Sequence, residues 1–307
     1  MNYDAILLIA FGAPEKMADV EPFLQNVLKG RSSSKVRLAE VMSHYALFDG
    51  RSPLKEITFR QASALNALLR GRECELPVYV GMRNWEPYLV DTLRKIKMDG
   101  HENVVGFIMS VHQSEAGWDR YKANVEEARA IIGGDTPVVA FCPGWHKHEL
   151  FIAAVAQQTN AALLKVPANR RSEAALVFTA HSVPSRLPGT PRYVRQIGEG
   201  AELVAAEAGQ KNFTVAYQSR SGPPEVPWLE PDVRQVIERL AVQGKKDVII
   251  IPIGFVNDHI EVLYDLDVEA SEAAQSCGIN MVRAATVNDH PIFIEMMADV
   301  IISMTEG

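Results

Sequence analysis

The chain has 307 residues, 47% of them hydrophobic and 22% charged, with a formal net charge of -7 and a pI near 5.7. This globular composition supplies enough apolar residues for two full cores and excludes intrinsic disorder. The acidic balance lacks the basic footprint of a nucleic-acid binder and points to small-molecule or ion partners, with no nucleic acid among them.

The N-terminus, MNYDAILLIAFGAP, carries an acidic residue where a signal peptide would carry a basic one, and Pro14 breaks its apolar stretch. Short apolar runs bounded by turn residues then alternate with amphipathic segments, which is how a parallel sheet buried on both faces reads. Strands are expected at 5–10, 78–82, 104–110 and 137–141, with a long helix at 54–69. Cys-Pro-Gly-Trp breaks the pattern near 143–148, ahead of a helix carrying Phe151, Val155 and Leu163. Further strands are expected at 175–179, 213–217, 248–253 and 281–285, and a helix at 196–209. Ile292, Met296 and Val300 give the last segment helical spacing. The fold class is α/β, with two four-stranded parallel sheets flanked by helices. Residues 1–145 and 146–289 form the two domains, and 290–307 a helix packing back on the first. No run approaches the ~18 apolar residues that cross a bilayer. Cys74, Cys142 and Cys277 are odd in number and widely spaced, against a disulfide framework or thiolate zinc site and in favour of a reducing cytoplasm.

Ligands of open parallel sheets collect beyond the carboxyl ends of the strands. That rule selects Phe11, Arg83, His112, His181, Gln218 and the loop at 254–261. Residues 247–282 hold seven acidic side chains and no Lys or Arg. Among them Glu261, Asp265 and Glu269 are spaced i, i+4, i+8, which stacks them along one helix face. Repulsion at that spacing costs roughly 0.2 to 0.5 kcal/mol per pair, and a divalent cation would offset it. Oxygen donors beside an imidazole suit Fe2+ or its neighbours. A solvated acidic face is the alternative of equal weight. His181 ends the run AALVFTA, and a histidine so placed is by itself more often structural than catalytic. Gly198 and Gly200 begin a dinucleotide-like G-x-G, but Leu203 occupies the third position and they read as a helix-side loop. Cys142, beside Pro143, reads as a buried structural thiol.

FTAHSVP at 178–184, YQSRSGPPEVPWLEPDV at 217–233 and PIGFVNDHIEVLYDLDVE at 252–269 closely resemble the ferrochelatases. AFGAP at 10–14, DGRSPL at 49–54 and VGMRNWEPY at 80–88 fit the same family, in the same order and over nearly the whole chain. The resemblance implies two Rossmann-like domains with a porphyrin cleft between them. Fe2+ is then a substrate, with no nucleotide and no permanently bound cofactor. It makes His181 and Glu261 catalytic, and His181, Glu261, Asp265 and Glu269 the metal-facing set. It assigns porphyrin contact to Phe11, Val27, Lys29, Ser52, Arg83 and Tyr121, with Lys29, Ser52 and Tyr121 as propionate neighbours. Partners are porphyrin, ferrous iron and neighbouring haem-pathway enzymes.

Two positions depart from the pattern. Phe11 stands where coproporphyrin-using relatives often have Tyr, and Leu28 precedes Lys29 where they often show a basic pair. Some members hold an iron-sulfur cluster near the C-terminus; here the last cysteine is Cys277, and no cluster is expected. The compact chain favours coproporphyrin III over protoporphyrin IX. A cobalt or nickel chelatase of a sirohydrochlorin-type ring and a non-catalytic porphyrin or haem carrier are the rival readings.

Overall fold

The computed structural model describes residues 2–29, 35–222 and 225–306. In chain order β1 (Ala5–Ala10) leads into α1 (Met17–Val27), α2 (Lys35–Ala46) and α3 (Leu54–Gly71). Then come β2 (Val78–Met82), α4 (Leu89–Met98), β3 (Asn103–Ile108), α5 (Arg120–Ile132) and β4 (Val138–Phe141). After α6 (Glu149–Leu163) follow β5 (Ala175–His181), α7 (Thr190–Glu207), β6 (Phe213–Gln218), α8 (Val233–Val242) and β7 (Asp247–Ile251). A single turn, α9 (Ile260–Val262), runs into a π-helix at Leu263–Ala270 and then α10 (Ser271–Ser276), β8 (Asn280–Arg283) and α11 (Pro291–Thr305).

Two compact units result. The first comprises Met1–Met109, Asp119–Pro143 and Ile294–Gly307; the second comprises Ser110–Trp118 and Gly144–Phe293. Sequence periodicity suggests one break after residue 145, whereas Ser110–Trp118 groups with the second unit ahead of that break. Each unit holds an all-parallel sheet, ordered β2-β1-β3-β4 in the first and β6-β5-β7-β8 in the second. The first sheet centres on β1, whose residues are all buried, with Leu8 opposite Val80 on one side and Phe107 on the other. Continuous burial requires apolar residues on both faces, and AILLIA supplies them.

In the second unit the chain leaves β5 for β6 and returns past β5 to β7. The crevice at the carboxyl ends of β5 and β7 is therefore a topological switch point. Phe178 pairs with Val215 on one side and Ile251 on the other. Val177, Ala216, Val236, Ile237, Val248 and Ile250 form the core on one face of this sheet. Val262, Leu266 and Ala270 join that core from the segment after β7.

Three local expectations are corrected. β5 continues to His181, because the pairing with β6 runs on to Gln218. The helix expected at 196 begins at Thr190, so Gly198 and Gly200 lie inside α7 rather than in a loop. The acidic segment is one helical turn followed by a π-helix, not an uninterrupted α-helix.

Candidate active site

Every residue of the central cluster belongs to the second unit. His181 is the last residue of β5 and lies in register with Gln218 of β6. Its Nδ1 meets the Ser182 carbonyl oxygen, which can only accept, so Nδ1 carries the proton and Nε2 keeps its lone pair. The Tyr193 hydroxyl donates to the His181 carbonyl at 2.9 Å, anchoring the strand end from α7. His181 Nε2 stands 3.9 Å from Glu261 Oε2.

Glu261 follows the β7 loop, which approaches β5 closely at Gly254. A Cβ there would lie 2.6 Å from the Ala180 Cβ, closer than real carbons come. Gly254 N donates to Thr179 O at 3.0 Å, so the loop that leads to the carboxylate is pinned against β5.

His259 approaches the same carboxylate oxygen, its Nε2 3.8 Å from Glu261 Oε2. The sequence reading assigned it no role, although it stands two residues before Glu261 in the same string. His259 Nδ1 accepts from the Val262 amide at 3.3 Å and caps the first helical turn, which leaves Nε2 as the ring's donor. Burial lowers the His259 pKa, opposed by the charge of Glu261, and the Phe255 ring packs on it edge-on at 5.0 Å. One carboxylate oxygen thus has both a lone pair on His181 and an N–H on His259 within 4 Å.

The other two carboxylates are held differently. Burial pushes the Asp265 carboxyl up to about 7; the hydrogen bond from Ser219 lowers it, while the charges of Glu261 and Glu269 raise it further. Glu269 is 3.6 Å from Arg234 Nη1. Asp258 and Asp267 fall off this row and share Arg283, at 3.0 and 2.6 Å. Asp247 is buried against Arg170 at 2.8 Å. Cations from outside the 247–282 stretch therefore offset much of its charge, and Glu261 faces imidazoles. Among the described residues no three His, Cys, Asp or Glu converge as a ready metal cage. The Ser219 and Arg234 partners of Asp265 and Glu269 are consistent with that.

The six residues expected at the porphyrin belong to the first unit. Arg83, just beyond β2, lies over the Tyr121 ring at 4.5 Å and the Phe11 ring at 5.5 Å, and its Nε donates to Asn124 Oδ1 at 2.8 Å. Phe11 stacks edge-on with Phe23 at 6.2 Å, and Asn84 fastens the Phe11 carbonyl at 3.1 Å. Next to it Gly12, at φ 88°, lies where a Cβ would sit 2.8 Å from the Trp85 amide nitrogen. Tyr121 is buried, which raises its pKa and keeps it a phenol. Ser52 is buried and its Oγ has no hydrogen-bond partner among the described residues. Val27 ends α1 half-buried, and Lys29 is exposed two residues on. Phe11, Arg83 and Tyr121 thus form one stacked group, which spacing alone did not predict. A groove of about 720 Å³ lined by Phe59, Asn66, Arg70 and Val78 contains none of these residues.

The sequence profile of a family described as Ferrochelatase matches residues 3–305. The coproporphyrin III ferrochelatase of Mycolicibacterium smegmatis is 43% identical, covering 100% of this chain and 91% of that protein. A ferrochelatase of Rhodopirellula baltica is 40% identical over 97% of this chain and 85% of its own. The coproporphyrin III ferrochelatase of Nocardia farcinica is 39% identical over 100% and 90%. Among solved structures, SirB from Bacillus subtilis with Fe3+ shares the fold, with a TM-score of 0.62 at 13% identity, covering 99% of this chain and 96% of that one.

Proposed function

The chain belongs to the ferrochelatase family, and on that premise we propose that it inserts Fe2+ into coproporphyrin III, with His181 and Glu261 exchanging ring protons for metal. The observation that carries this reading is the lone pair of His181 Nε2 facing the Glu261 carboxylate across 3.9 Å at the switch point of the second sheet.

Metalation removes two pyrrole protons and brings in one dication, so the site must both accept protons and hold a cation. A flat porphyrin keeps its nitrogen lone pairs in the ring plane, and bending it costs roughly 1 to 5 kcal/mol, drawn from binding. The ordered Nδ1–H of His181 leaves Nε2 as the proton acceptor. Imidazole and carboxylate donors each bind a dication at about 2.1 Å. Two such donors 3.9 Å apart suit one ion in transit at a wide angle. His259 donates toward Glu261 when the carboxylate is ionised and unmetallated. Asp265 and Glu269 hand ions or protons toward solvent. Phe11, Val27 and Arg83 hold the ring, and Lys29, Ser52 and Tyr121 receive its propionates.

The relatives named as coproporphyrin III ferrochelatases support that ring over protoporphyrin IX. Anaerobic turnover with Fe2+ and each porphyrin tests the assignment, the expected result being higher kcat/KM with coproporphyrin III. His181→Ala is expected to lower kcat at least about 100-fold with an unchanged circular dichroism spectrum. Preference for cobalt or nickel with a sirohydrochlorin-type ring, or porphyrin binding without turnover, would replace this reading with one of its rivals.

A further inference from the structure

Gln218 is tied to the main chain at both reacting residues and has no role in the chemistry above. It is 2% exposed and ends β6 directly opposite His181. Its carbonyl accepts from the Ser182 amide at 2.7 Å, so the main chain at Gln218 fixes the strand end that carries the imidazole. Its side chain turns to the other partner: Nε2 donates to the Glu261 carbonyl at 3.3 Å. That carbonyl lies where the turn Ile260–Val262 gives way to the π-helix Leu263–Ala270. At such a junction the hydrogen-bond ladder changes from i→i+4 to i→i+5, and an outside donor fixes where the change occurs. The next residue, Ser219, reaches Asp265 one turn further on.

The amide is a poor choice for stability alone. Gln218 Oε1 is buried and accepts no hydrogen bond among the described residues, which carries a desolvation cost that an apolar side chain of the same length would avoid. Retaining a group with that cost is characteristic of a functional position.

We infer that Gln218 is a positioning residue: through one main-chain and one side-chain hydrogen bond it sets the separation of His181 and Glu261. The inference rests on the proposed roles of those two residues. Displacing a reacting group by about 1 Å costs up to about 100-fold in rate. Gln218→Met keeps the length and removes the donor; Gln218→Asn keeps the amide but withdraws it by one methylene. Both are expected to lower kcat about 10- to 100-fold, with the KM for coproporphyrin III within about twofold and the melting temperature of Gln218→Met equal to wild type or higher.

A double-mutant cycle with Glu261→Asp separates positioning from a general effect. If Gln218 acts through Glu261, the combined loss is no larger than the greater single loss. Wild-type kcat in both Gln218 variants, or losses that multiply in the cycle, overturns the inference. Should Gln218→Met fail to fold, Gln218→Asn carries the same comparison. A wild-type protein that does not metalate coproporphyrin III instead refutes the reaction itself, and the positioning role with it.

Discussion

Two histidines flank Glu261 in opposite hydrogen-bonding senses, His181 with its lone pair free and His259 with its Nε2–H free. Of the two rings near its Oε2, His181 is thus suited to accept a proton and His259 to donate one. The motif alone reveals His181 and Glu261; the sense of each ring depends on backbone partners, the Ser182 carbonyl and the Val262 amide, which no spacing rule contains. Asp265 makes the sharpest residue-scale prediction. Its pKa of about 7 lies above the ordinary value of 3.8, so the native protein binds the proton more tightly than the unfolded chain does. Stability from this group is therefore unaffected below about pH 4, falls as pH rises toward 7, and stays reduced above it. Asp265→Asn is expected to leave the melting temperature nearly unchanged at pH 4 and to stabilise the metal-free protein at pH 8 by about 2 to 4 kcal/mol. Combined with Glu269→Gln, it is expected to raise the KM for Fe2+ with the porphyrin dissociation constant unaltered. An unaltered KM would reject the row as an ion route.

At the scale of the element, one segment carries two stripes. Val262, Leu266 and Ala270 are buried in the core, and each follows directly a member of the row Glu261, Asp265, Glu269. The apolar stripe thereby orients the acidic one. The acidic stripe was legible in the sequence because residues four apart share a face in an α-helix and stay close in the wider π turn. The π-helix itself was not legible for the same reason, since the i, i+4 pattern suits either. Gly254 holds the start of this segment against β5, and Gly254→Ala is expected to destabilise by about 1 to 3 kcal/mol through overpacking against Ala180. Because the displaced strand end carries His181, kcat should fall more than the porphyrin KM rises, which steady-state kinetics beside a denaturation curve would measure.

For the molecule as a whole, the strands were legible because the inner ones, β1, β3, β5 and β7, are buried almost throughout and their runs are largely apolar. The grouping of Ser110–Trp118 with the second unit was not, since tertiary contacts such as Gln113 N to Gln196 Oε1 at 2.7 Å leave no local periodicity. No described helix is long and apolar enough to cross a membrane. The three cysteines are free: Cys277 is exposed, Cys74 half-buried, and burial pushes the Cys142 thiol up to about 12. A thiol reagent at pH 8 is expected to label Cys277 first and Cys142 only after unfolding, and triple Cys→Ser substitution to leave turnover intact. The repeated strand order has a further consequence. The chain draws the same four-strand diagram twice without an evident sequence repeat, so topology recurs where identity does not. Each sheet has its own switch point, one beside imidazoles and carboxylates and the other beside an aromatic and guanidinium stack. A substitution in one stack therefore leaves the hydrogen-bonded groups of the other sheet untouched, so the two groups of side chains can vary independently.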